Sequence, residues 1–113
     1  DVGPAAGYGI VRGSVGHGLG NEMHAEPQVT NSRTGRRGRV IEVGLCIAIE
    51  PMFTIGSFDT RVKPDGWTVA TADGSLAAHW EHTIAITADG PRVLTLAAGE
   101  VIEGLTAPAE VRA

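Results

Sequence analysis

Over Gly16-His17-Gly18-Leu19-Gly20 the chain places glycine at every second position, and the segment runs on through Asn21-Glu22-Met23-His24-Ala25-Glu26-Pro27. A run this rich in glycine does not hold a helix, because each glycine carries backbone entropy that a helix must remove. Glycine belongs where a chain turns sharply or passes close to another group. With sixteen glycines in 113 residues, the pattern predicts turns and strands in place of long helices. The two histidines inside the run, His17 and His24, supply ring nitrogens that bind metals or carry protons near neutral pH.

Length and composition bound the rest. A chain of 113 residues suffices for one small domain and is too short for two ordinary ones. We place that domain over residues 1–97 and expect a frayed, alanine-rich tail over 98–113. No apolar run approaches the roughly 20 residues of a membrane span, so no membrane partner is expected. A formal net charge of -4 gives no reason to expect specific nucleic-acid binding. The one basic cluster is Arg33, Arg36, Arg37 and Arg39. It reads as a solvated loop rather than as contact with RNA or an acidic partner, a short basic run being a weak signal by itself. The single cysteine, Cys46, lies in the apolar run Leu45-Cys46-Ile47-Ala48-Ile49 and reads as a small buried hydrophobe in a reducing, cytoplasmic setting. The first residues, Asp1-Val2-Gly3-Pro4, have neither an initiator methionine nor a signal-peptide pattern and read as an interior cut.

Along the chain, Gly7 is placed to cap the last turn of a helix expected to begin before residue 1, and residues 8–12 alternate weakly as a strand. Residues 28–39 are polar and are expected as a surface loop. Residues 45–54 form a β-branched run that reads as a buried strand, with Pro51 marking an irregularity. Strands are expected over 58–62, 67–71, 79–87 and 92–96, separated by the turns Lys63-Pro64-Asp65-Gly66, Ala72-Asp73-Gly74-Ser75 and Ala88-Asp89-Gly90-Pro91. Strand alternation puts His79, Glu81 and Thr83 on one face and Trp80, His82 and Ile84 on the other. By the same rule Ala48, Glu50 and Met52 share a face, with Ile47 and Ile49 packed into the core behind.

A carboxylate inside a β-branched strand is expensive to bury unless it is paired or bound to a cation. The chain does this at Glu50 and again at Glu81. Carboxylate oxygen with imidazole nitrogen suits divalent manganese, iron, cobalt or zinc. These residue types leave two accounts open, metal ligands or salt-bridged structural acids. A dinucleotide-binding reading of the glycine run fails, because Gly16-x-Gly18-x-Gly20 is not that fingerprint and no strand–helix–strand unit follows.

Five segments taken together narrow the choice. Gly16-His17-Gly18-Leu19-Gly20, His24-Ala25-Glu26-Pro27, Ile49-Glu50-Pro51-Met52, Gly66-Trp67-Thr68-Val69 and Trp80-Glu81-His82-Thr83 resemble, in order and spacing, the successive signatures of the methionine aminopeptidases. The resemblance covers residues 8–96. It implies an α+β chain forming the C-terminal half of a pita-bread fold, a curved antiparallel sheet with few helices around two divalent metal ions. It also implies roles by position. His17 would bind one metal, Glu50 would bind the same metal and shuttle a proton, and Glu81 would bridge both. His24 would hydrogen-bond the scissile peptide group, and Trp67 would wall the methionine pocket. The family commonly has an aromatic residue where this chain has Met23, whose thioether would line the same pocket. Glutamine is common at the position of His79; we expect that imidazole, with Thr83, to flank the ligands without binding metal.

The family's centre also needs two aspartates and a histidine from its first half. None is present, since Asp1 lies too near the glycine run and Asp59, Asp65, Asp73 and Asp89 follow it. The resemblance therefore implies a partial, metal-dependent aminopeptidase, inactive by itself. Its substrates would be the N-terminal methionine of peptides and nascent proteins, with the ribosome as a further partner. Two alternatives are weighed against it, a proline-specific aminopeptidase or prolidase of the same fold and a non-catalytic binding module.

Overall fold

Proline at position 51 divides what the sequence presents as two long strands into four short ones. The computed structural model describes residues 2–103 and 105. In it the run expected over 45–54 forms β4 (Cys46–Ile49) and β5 (Met52–Thr54), and the run expected over 79–87 forms β8 (Ala77–His79) and β9 (His82–Thr87). Strand β4 pairs antiparallel with β9, ending at Ile49 opposite His82, and β5 pairs with β8 starting at Met52 opposite His79. Between them the Trp80 amide donates to the Pro51 carbonyl at 3.3 Å. Proline has no N–H with which to return the bond, so pairing lapses there. The single long strand over 79–87 is thus corrected to two strands, and the break is imposed from the partner.

The described residues divide into two compact units. The first takes Asp1–Val15, Thr30–Arg36 and Glu50–Trp80. It opens with α1 (Val2–Ala5), whose last turn closes through the bond from the Gly7 amide to the Pro4 carbonyl, with Gly7 at φ 83° as the expected cap. Next comes β1 (Gly9–Ile10), which pairs with β5 to give a three-stranded sheet in the order β1-β5-β8. A separate hairpin joins β6 (Thr60–Val62) to β7 (Val69–Thr71). That strand starts two residues later than expected, because the Asp65 carboxylate accepts the Trp67 and Thr68 amides and holds both in the turn.

The second unit takes Gly16–Val29, Arg37–Ile49 and Glu81–Ala113. It is a five-stranded antiparallel sheet in the order β10-β9-β4-β2-β3, in which β2 is Gly16–Gly18, β3 is Ala25–Val29 and β10 is Gly90–Val93. Strand β3 claims Gln28 and Val29 from the expected loop, since Val29 pairs with Gly16. The last strand begins at Gly90 rather than Arg92, because the Gly90 φ of 113° lets pairing with Thr87 start inside the turn. Ala48 and Val93 are both fully buried at 0% exposure, whereas Ile49 is 37% exposed. The expectation that Ile49 packs into the core is therefore corrected. It ends β4 at the lapse in pairing. No described helix is long and apolar enough to cross a membrane. Of the tail expected over 98–113, residues 104 and 106–113 lie outside the described residues.

One carboxylate closes the turns of the first unit. Asp73 accepts the Ser57 amide at 2.7 Å and the Ser75 amide at 2.9 Å, and these bonds, the Ser57 bond foremost, lower its pKa to about 2. A folded-state pKa below the ordinary 3.8 means that the unfolded chain binds the proton more tightly. The stabilisation is then complete above that ordinary value and fades as pH falls toward the folded one. Thermal melts of Asp73→Ala at pH 7 should lie below those of the parent, and the gap should close as the pH is lowered through about 4 to about 2.

Candidate metal centre

His17 lies in the middle of β2, between two glycines that the sheet requires. A β-carbon on Gly16 would collide with the Ala48 carbonyl of β4, and one on Gly18 would collide with the Glu26 carbonyl of β3. Glycine at both positions lets neighbouring strands close around the histidine. The His17 ring donates from Nδ1 to the Gly18 carbonyl at 2.9 Å. That bond fixes the tautomer in which Nε2 keeps the lone pair a metal needs.

In the same unit, Glu81 directly precedes β9, and its carboxylate offers an oxygen within 4.8 Å of a ligand nitrogen of His17. Registers explain the proximity. Gly18 pairs with Ile47, so His17 falls beside Ala48, which pairs with Thr83. Alternation then puts His17, Ala48, Thr83 and Glu81 on one face of the sheet. His82 faces the other way and is buried. Its Nδ1 meets the Thr95 hydroxyl at 3.0 Å, and its Nε2 lies 3.5 Å from Glu100 Oε1.

His24 stacks against His17, with ring centroids 4.4 Å apart and planes inclined by 57°. Its own side chain is exposed, and the neighbouring Met23 is 72% exposed. In the first unit, half-buried Glu50 directly follows β4, and its Oε2 lies 3.8 Å from Nε2 of His79. Trp67 is 88% exposed at the tip of the β6–β7 hairpin. The imidazole of His17 and the carboxylate of Glu81 form a donor pair that suits the divalent ions the sequence points to.

Comparison with known proteins decides the family. The profile of metallopeptidase family M24 matches residues 2–88. The chain belongs to that family. As a family of metallopeptidases, M24 implies binding of a divalent metal. The chain is 55% identical over 89 residues to methionine aminopeptidase 1 of Mycobacterium tuberculosis, covering 79% of this chain and 34% of the relative. It is 50% identical over 90 residues to a methionine aminopeptidase of Clostridium acetobutylicum, covering 80% and 36%. The crystal structure of a methionine aminopeptidase from Thermotoga maritima superposes with a TM-score of 0.77 at 45% identity, over 80% of this chain and 36% of that one. A Rickettsia prowazekii methionine aminopeptidase gives 0.74 at 41% identity, over 80% and 37%. The chain therefore spans about a third of the length of the relatives it matches. Its mostly antiparallel architecture with one short helix matches a part of the pita-bread fold of those structures.

Sequence reasoning did not single out Asn31, whose amide donates to the Glu50 carbonyl. No local pattern marks it, since its two partners lie 17 and 19 residues away. It also did not foresee Thr95, which receives the Thr83 amide and meets His82.

The strand spacing around His17 is testable. Gly18→Ala should force β2 from β3 and lower stability by about 1–3 kcal/mol in urea unfolding, the usual range for overpacking.

Proposed function

We propose that this chain carries part of the catalytic centre of a methionine aminopeptidase, with residues 1–97 forming the partial catalytic domain. The observation that carries the reading is the meeting of His17 and Glu81 on one sheet face. The likeness of Ile49-Glu50-Pro51-Met52 to the family's signature adds Glu50 as the third ligand. Support for the activity comes from the relatives, which carry the name methionine aminopeptidase at 41–55% identity.

In this reading His17, Glu50 and Glu81 would hold two divalent ions, the metal being cobalt, manganese, iron or zinc. Bound ions of this kind acidify a water and polarise a peptide carbonyl. The chain's own residues do the rest. His17 keeps its Nε2 lone pair because Nδ1 is committed to Gly18. His24, exposed beside it, reaches the scissile peptide group and donates a hydrogen bond as negative charge develops there. Glu50 receives a proton and passes it to the departing amine. Met23 and Trp67, both exposed apolar side chains, line the pocket for the substrate methionine. His79 and Thr83 flank the ligands, His79 by standing next to the Glu50 carboxylate. The substrates are the N-terminal methionines of peptides and nascent proteins, met in the cytoplasm at or near the ribosome.

Cleavage of Met-Ala and Ala-Pro peptides by the complete Mn2+-loaded protein, to which this chain would contribute part of the centre, tests the reading. Release of methionine is expected, with His17→Ala and Glu81→Gln abolishing it. Preference for the Ala-Pro peptide would transfer the protein to the proline-specific branch, and full activity in Glu81→Gln would remove the proposed centre.

A further inference from the structure

Strand pairing lapses between Ile49 and Met52, so the segment carrying Glu50 lies outside the ladder that orders β4. A ligand carboxylate on such a segment is only as well placed as its backbone. The structure supplies a hold from elsewhere. The side-chain amide of Asn31 donates from Nδ2 to the Glu50 carbonyl at 3.3 Å and to the Ser14 carbonyl at 3.2 Å. An asparagine amide has two N–H groups, and here each takes one backbone carbonyl. Asn31 is half-buried, although the residues after it in the loop are exposed. It therefore joins the segment that carries Glu50 to the segment that ends three residues before His17.

We propose that Asn31 is a positioning residue for Glu50. Its side-chain amide donates to two backbone carbonyls. It sets the carboxylate by fixing the carbonyl of the same residue, where Pro51 has interrupted the ladder. The inference rests on the proposed metal centre. Residues bonded to a ligand typically change metal affinity about 10–100-fold when removed, and one neutral bond to a backbone carbonyl belongs at the lower end of that range.

The test is Mn2+ affinity of the protein by isothermal titration calorimetry, beside thermal melts. Asn31→Ala removes both donors and should weaken Mn2+ binding about tenfold. Asn31→Ser keeps one hydroxyl donor and should recover part of the loss. Thr71→Val, which removes the 2.6 Å bond from the Thr71 hydroxyl to the Ser75 carbonyl, should lower the melting temperature and leave Mn2+ affinity unchanged. A merely structural Asn31 would behave like Thr71, with a lower melting temperature at parental affinity, and that result overturns the proposal. If Asn31→Ala does not fold, the serine variant decides alone, and parental affinity in it overturns the proposal. Glu81→Gln separates the two levels. Loss of Mn2+ binding in Glu81→Gln with none in the Asn31 variants ends the positioning role alone, whereas no loss in any variant ends the metal centre as well.

Discussion

A proline that cannot return a hydrogen bond sets the layout of this chain. Trp80 gives its amide to the Pro51 carbonyl, and Pro51 has no N–H to complete the pair, so pairing stops on both sides of that contact. Glu50 immediately precedes Pro51, and Glu81 immediately follows Trp80. Both acids thus fall at the lapse rather than inside a paired strand. Inside a ladder a carboxylate would meet the full penalty of burial. Next to an interruption it stays near strand order and keeps access to a cation. The same proline accounts for the division of two apolar runs into four short strands.

The imidazole is placed by the opposite means, close pairing in place of interrupted pairing. Gly16 and Gly18 lack the side chains that would keep β4 and β3 at a distance, so β2 sits between them with His17 as its central residue. The short bond from the ring to the Gly18 carbonyl commits Nδ1 and leaves the chemistry to Nε2. Glycine alternation therefore does two things with one pattern. It lets the sheet close, and it presents the ring in a single tautomer.

Much of this was legible in advance. The glycine run, the turn at Lys63-Pro64-Asp65-Gly66 and the Asp89-Gly90 hairpin are local, and local chemistry decides them through φ and short-range hydrogen bonds. The opposite orientations of Glu81 and His82 also followed from alternation, since the period of a strand is a property of its own backbone. Less legible were features that depend on a partner strand. The break at Trp80-Glu81 has no cause within residues 79–87, and the exposure of Ile49 has none within 45–54. Asn31 is the extreme case, an ordinary loop asparagine until Ser14 and Glu50 are brought to it.

The sequence by itself determined where this chain turns, which residues share a strand face and which side chains have metal-binding chemistry, because each of these is settled within a few bonds. The resemblance carried by its five segments also set the family. Only the tertiary structure decided which donors meet, which apolar side chains are covered and which loop residue holds a carbonyl that the ladder leaves to it. Those outcomes turn on register between segments tens of residues apart, and a one-residue slip would send every side chain to the other face.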